Sequence, residues 1–196
     1  MELVHAAEAD FPSEFGRFRI HGFEWVQSGV REEAVAVVMG DLTGQPAPIL
    51  RIHSQCLTGD VFHSLRCDCR KQLEMALAVV GGDGRGLVIY ELQEGRGIGI
   101  INKLRAYQLQ DQGADTVEAN EALGLEVDAR DYRLPAAICR HFGVTAVRLM
   151  SNNPDKIAAL ENAGIQVVER VPTIAVGSVH SKDYLDVKRE KLGHLI

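Results

Sequence analysis

Three cysteines close together in sequence constrain this chain more than any other feature. Cys56, Cys67 and Cys69 lie in the stretch RIHSQCLTGDVFHSLRCDC that begins at Arg51. On an extended segment a Cys-x-Cys pair presents both thiols to one side, because side chains alternate. A third cysteine, a short loop away, supplies a third corner of a tetrahedron. Zinc takes thiolates readily; three protein ligands leave a fourth position for water, whereas closed structural sites use four. His53 and His63 are the nearby side chains able to close the site. Three incidental buried thiols, or a redox pair, are the other readings of the same residues. Cys139, within the apolar run from Pro135 to Phe142, reads as a small buried hydrophobe. The nucleoside deaminase signature needs H-x-E followed by P-C-x-x-C; here the first part reads His53-Ser54-Gln55 and the second is absent.

The chemistry open to these thiols depends on their compartment. The amino terminus, MELVHAAEADFPSEFG, has no basic segment followed by an apolar run, so no secretory signal is expected. Nor does any stretch reach the roughly 20 apolar residues of a membrane span. The expectation is a cytoplasmic protein, where structural disulfides are rare and thiols are buried, metal-bound or reactive. A net charge of −6 provides no basic field for nucleic acid, so an anionic substrate needs a local cluster of Arg and Lys.

Hydrophobic residues form 46% of the 196, enough for a normal core, and no linker divides them, so one domain over 1–196 is expected. The first third reads as β-rich, with runs from Phe15 to Phe23 and from Ala34 to Met39. After Cys69, the positions Leu73, Ala76, Leu77 and Val80 fall at helical spacing, with Gly81-Gly82 read as the stop. A strand from Gly86 to Tyr90, a helix from Ile98 to Gln112 and a helix from Pro135 to His141 follow. Then come a strand from Ala146 to Met150, a helix opened by Ser151-Asn152-Asn153-Pro154, and a strand from Ile165 to Val168. A last amphipathic helix is expected from Lys182 to Leu192. The fold class is mixed α/β: a β-rich amino-terminal part, then strands and helices in alternation.

Two further segments carry polar chemistry. Gly95, Gly97 and Gly99 precede a helix whose first N–H groups are unpaired, an arrangement that suits anions. Arg96 lies in that turn; Lys103 and Arg105, on the helix, read as a solvated face. Asp128-Ala129-Arg130-Asp131 offers either a base beside a phosphate clamp or a surface salt bridge. Ser151 reads as a helix cap, and Lys156 as a surface residue unless a phosphate engages it.

Taken together and in this order, these segments resemble GTP cyclohydrolase II over nearly the whole chain. The most specific stretches are RIHSQCLTGDVFHSLRCDC, EGRGIGIINKLRAYQLQDQGADTVEAN from Glu94, and SNNPDK from Ser151. The tail around Lys191-Leu192-Gly193-His194 is similar too. The resemblance implies conversion of GTP to a diaminopyrimidinone ribosyl monophosphate with release of formate and pyrophosphate, the first committed step of riboflavin synthesis. It implies one Zn²⁺ per subunit on Cys56, Cys67 and Cys69, Mg²⁺ with the substrate phosphates, and a homodimer.

By the same resemblance Tyr107 stands near C8 of the guanine and Asp128 is a proton acceptor. Arg130 is either a nucleophile at the α-phosphorus or, since guanidinium stays protonated, a bidentate clamp on phosphate. The implied GTP contacts are Arg51, Ile52, His53, Ser54, Gln55, Gln72, Glu94, Gly95, Arg96, Thr116, Ser151 and Lys156. Gln55 stands where the family more often has Glu, and Ser151 where Thr is usual. The chain length leaves no room for a fused synthase, so a stand-alone enzyme is expected. The competing expectations are a zinc-stabilised nucleotide-binding module without turnover, and a relative that opens the ring but retains pyrophosphate.

Overall fold

Seven strands and six helices make up the described residues, 2–27 and 29–173, of the computed structural model. The residues group into two compact units. Among the described residues the first comprises 2–27, 29–53, Glu74–Leu92 and Asp131–Thr173, and the second Ser54–Leu73 and Gln93–Arg130.

The first unit is built on a mixed sheet. Its strands are β1 (Glu2–Ser13), β2 (Gly16–Gln27), β3 (Val30–Met39), β4 (Ile49–Ser54), β5 (Gly86–Glu91), β6 (Ala146–Met150) and β7 (Gln166–Val171), in the spatial order β1-β2-β3-β5-β4-β6-β7. β1, β2, β3 and β5 pair antiparallel in succession, while β4, β6 and β7 run parallel. Parallel pairs need helical crossovers that cover the sheet. Accordingly β4 is buried from Ile49 to His53, a continuous apolar stretch interrupted by the functional candidates Arg51 and His53. Helices α5 (Arg133–His141) and α6 (Pro154–Asn162) supply Leu134, Ala136, Ile138 and Leu160 to one core with Leu50, Ile52, Ile89 and Leu149. Cys139 belongs to that core, and burial pushes its thiol up to about 12.

Secondary structure follows the sequence reading, with instructive exceptions. Helix α2 (Cys69–Asp83) runs through Gly81-Gly82 and stops at Gly84, whose φ of +73° is left-handed. A Cβ on Gly81 would lie 2.1 Å from the carbonyl oxygen of Phe15, so this glycine permits a close backbone approach and is not a stop. The cap of α6 is Asn153, whose side chain accepts from Asp155 N at 2.9 Å. Ser151 instead accepts from Asn153 N at 3.1 Å and is buried, so the capping role expected for it is corrected. The helix expected from Lys182 to Leu192 lies outside the described residues.

The second unit is helical: α1 (Leu57–Asp60), the start of α2, a 3-10 turn at Glu94–Gly97, α3 (Ile100–Gln110) and α4 (Thr116–Ala122). Helix α4 was not anticipated, although Asp115 and Glu118 form a capping box at its start.

Candidate active site

Cys56, Cys67 and Cys69 converge in the second unit, with their sulfurs within 4.8 Å of one another. The expected extended Cys-x-Cys segment is not what brings them together: Cys67 lies in a loop and Cys69 opens α2. Cys56 sits at the amino end of α1, where its N–H donates to Asp60 Oδ2 at 2.9 Å. Gly59 completes the cradle. A Cβ there would stand 2.8 Å from Cys67 Sγ and 3.1 Å from Cys56 Sγ, so any side chain would intrude between the sulfurs. Neither His53 nor His63 joins the group, so the described residues offer a three-ligand set and not a closed one.

The donor set fits a soft divalent cation. Cys56 Sγ and Cys67 Sγ are 3.6 Å apart, close to the edge of about 3.8 Å that Zn–S bonds of 2.3 Å give a tetrahedron. Hydrogen bonds from Cys67 and Cys69 hold the Cys56 thiol far below its ordinary range. The same contact with Cys56 pushes Cys67 up to about 11 and raises Cys69. A metal that binds the trio displaces the protons its thiols still hold.

A polar chain surrounds the sulfurs. Lys103 Nζ lies 3.1 Å from Cys56 Sγ and 2.8 Å from Glu94 Oε1. Its side chain is 13% exposed and that of Glu94 8%, so Lys103 is not the solvated surface residue that was expected. Burial opposes charge on Lys103, but the Cys56 sulfur and Glu94 outweigh it and raise its pKa. Glu94 also accepts from Leu57 N at 2.6 Å and Gly95 N at 2.9 Å, tying the glycine turn to the start of α1. Arg105, by contrast, is exposed and donates to Asn102 Oδ1 at 3.0 Å.

Tyr107 lies one turn beyond Lys103 on α3, on the same face. Its phenolic oxygen is 3.4 Å from Thr58 Oγ1, which in turn is 3.7 Å from Cys56 Sγ. Burial pushes the Tyr107 phenol above its usual value, so it stays a neutral donor at physiological pH. Arg66 covers the ring at 4.7 Å.

A second group forms around the glycine turn. Gly95 and Arg96 both adopt left-handed backbone, with φ of 61° and 60°. Such a conformation is costly for Arg and marks a segment whose shape is imposed. A Cβ on Gly97 would meet Ala129 O at 3.0 Å, and Ala129 N donates to Arg96 O at 3.0 Å. The turn is thus clamped to the Asp128–Arg130 segment. Asp128 accepts from Arg130 Nε at 2.8 Å and also from its terminal nitrogen, a two-point pairing. Burial alone would raise the Asp128 carboxyl; the hydrogen bonds and charge of Arg130 prevail and lower it. The pair forms the salt bridge that was one of its two readings, with Asp128 at the surface and the Arg130 side chain largely covered at 11% exposed.

The remaining candidates divide by unit. In the second, Gln72 donates to Asp68, Thr116 opens α4, and Ser54 and Gln55 are half-buried before Cys56. In the first, Arg51 donates to Met150 O at 3.0 Å and Lys156 to Ile52 O at 2.8 Å. Lys156 is 5% exposed and lies over Tyr132 at 5.4 Å, so it is not a surface residue either. His53 stacks on Tyr90, their centroids 5.4 Å apart. Sequence reasoning missed Thr58, Gly59 and Asp60. Their only signal was position in the loop between the first two cysteines.

The profile of the GTP cyclohydrolase II family matches residues 4–172. Curated proteins named GTP cyclohydrolase-2 align over nearly the full length. One from Neisseria meningitidis serogroup C is 51% identical, covering 99% of this chain and 97% of its own. That of Azotobacter vinelandii is 51% identical, covering 100% and 93%, and that of Escherichia coli O9:H4 is 50% identical, covering 100% and 99%. Among solved structures, a two domain 3,4-dihydroxy-2-butanone 4-phosphate synthase from A. baumannii superposes with a TM-score of 0.48 at 16% identity, over 88% of this chain and 40% of that one. With a family profile spanning most of the chain and half of all residues identical in full-length relatives, this chain is an enzyme of the GTP cyclohydrolase II family.

Proposed function

We propose that the chain hydrolyses GTP to 2,5-diamino-6-(5-phosphoribosylamino)pyrimidin-4(3H)-one, releasing formate and pyrophosphate, as the committing step of riboflavin synthesis. The observation that carries the reading is the convergence of three thiols beside a neutral, half-buried phenol in a chain of this family. Cys56, Cys67 and Cys69 would hold one zinc ion per subunit, which when bound supplies Lewis acidity toward water at neutral pH. Tyr107, as a neutral donor, hydrogen-bonds the opening imidazole ring at or beside C8. Thr58 orients that phenol, and Lys103 offsets the charge gathered on the thiolates.

Pyrophosphate release falls to the other group. Arg130 is already paired through two guanidinium nitrogens, the geometry with which Arg grips phosphate. It acts here as a clamp on the α-phosphate, exchanging Asp128 for substrate oxygens and leaving Asp128 to accept a proton. Arg96 adds charge, and Mg²⁺ accompanies the phosphates. Gln72, Gly95, Thr116, Ser54 and Gln55 contribute GTP contacts in the second unit, and Arg51, Ile52, His53, Ser151 and Lys156 contribute them in the first. Glu94 contacts GTP as well as holding the turn. The chain acts as a single domain over 1–196, in a cytoplasmic homodimer.

A proton NMR time course of the protein with GTP and Mg²⁺, with and without a zinc chelator, tests this. A growing formate singlet that the chelator abolishes is expected, with pyrophosphate in the paired phosphorus spectra. Folded, zinc-loaded protein that yields no formate would reduce the chain to a nucleotide-binding module. Formate without pyrophosphate would make it a ring-opening relative.

A further inference from the structure

The β1–β2 hairpin carries a second cluster of metal-ligand side chains, which the proposed reaction does not use. His5, Glu8 and His21 place their donor atoms within 4.8 Å of one another. His21 Nδ1 lies 3.2 Å from His5 Nε2 and 3.3 Å from Glu8 Oε2, so two ligands from one strand converge on a buried imidazole of the next.

The backbone is shaped to bring them together. Residues three apart on a regular strand face opposite sides, which would separate His5 from Glu8. Here His5 pairs with Phe23 and Ala7 with Gly22, so β1 advances two residues while β2 advances one, and Ala6 is the extra residue. That bulge restores the parity: His5 and Glu8 share a face, with Glu8 directly opposite His21. Bulges of this kind re-aim side chains and are over-represented beside functional sites.

We propose that His5, Glu8 and His21 form a second binding site, for a borderline transition-metal cation of the zinc or nickel class. Metal–ligand bonds of 2.0 to 2.2 Å set neighbouring tetrahedral ligands about 3.3–3.5 Å apart. The 3.2 and 3.3 Å seen here approach those spacings. Imidazole and carboxylate donors favour such cations over magnesium. Glu8 keeps Oε2 for the site because its other oxygen accepts from Arg19 at 2.6 Å, an outer contact that orients the carboxylate. The rings of Phe23, 5.1 Å from His5, and Phe142, 5.0 Å from His21, form an apolar wall. His141, its ring 5.2 Å from His5, is the nearest further imidazole among these ring contacts.

The full-length protein, dialysed to equilibrium against micromolar free Zn²⁺ and assayed for zinc per chain, decides the matter. Wild type should hold one zinc more than His5→Ala or Glu8→Gln, each checked for folding by circular dichroism. Cys67→Ser should remove a different zinc, additively. A content that falls with the histidine and glutamate changes but not with Cys67→Ser supports this site and sinks the cysteine reading. Equal zinc in wild type, His5→Ala and Glu8→Gln overturns the proposal, leaving a hydrogen-bonded histidine pair.

Discussion

The two units hold themselves together by different means. Of the buried apolar side chains, the first unit contains nearly all, from Phe23 and Leu50 to Leu149 and Ile165, in one continuous core. In the described part of the second, the buried apolar side chains are Cys56, Ala106 and Ala119. Its order rests instead on Glu94, Lys103, Asp68 and the cysteine cradle, and it exposes Phe62, Leu65 and Ile101. An apolar core is non-directional and stable without ligands, whereas a polar, metal-ready unit is ordered chiefly when its charges are satisfied. The division puts the chemistry-bearing residues where few contacts oppose rearrangement, as expected of sites drawn from the less stable end of a structure.

Removing the metal tests that contrast most severely. A chelator, or Cys67→Ser, should take formate release below detection while pyrophosphate release partly survives. Hydrogen exchange should show protection lost over 54–73 and 93–130 and kept in β3, β5 and β6. Loss spread evenly over both units would erase the distinction. Gly59→Ala comes next: its methyl would intrude between two sulfurs, and metal affinity should drop on the order of 10- to 100-fold, comparable to loss of an outer-shell partner. Calorimetric zinc titration reads this, and unchanged affinity would mean that the cradle is not needed.

Leu149→Ala probes the other side. It should cost about 2–5 kcal/mol of global stability in denaturant melts while leaving zinc affinity intact. Lys103→Met, which removes the charge beside Cys56 at similar volume, should weaken zinc by roughly tenfold with little change in the melting of the sheet.

The smallest effect concerns acid. Arg130 lowers the Asp128 carboxyl, so their pairing contributes fully at pH values above the ordinary carboxylate range. That contribution is lost only as pH falls through the depressed value. Exchange protection at Ala129 and Arg130 should be flat from neutrality down to about pH 4 and decline below it. A decline near pH 6 would show that some other group governs the loop.

Periodicity and turn residues made much of the first unit legible. The strand from Ala146 to Met150 matches its expected bounds, because it is apolar, short and bracketed by turn residues. Strand β1 escaped notice because its residues are largely exposed and carry no clean alternation past the bulge. Gly81-Gly82 misled because a glycine can serve a close approach as well as a stop, and the sequence around it does not distinguish them. In the site, the three cysteines and the polar clusters were visible as residue types. Lys103 and Lys156 were misjudged because lysine is almost always exposed, and only tertiary partners reverse that expectation.

The sequence by itself determined the family, the donor atoms available and the alternation of strand and helix, since these depend on residue identity and near-neighbour spacing. The tertiary structure decided which donors meet. Cys56 joins Cys67 and Cys69 through a cradle that only Gly59 leaves open, and Lys103 reaches Cys56 across 47 positions of sequence. Such contacts are set by how the chain folds back on itself, and burial and charge at those meeting points then fix which groups hold protons.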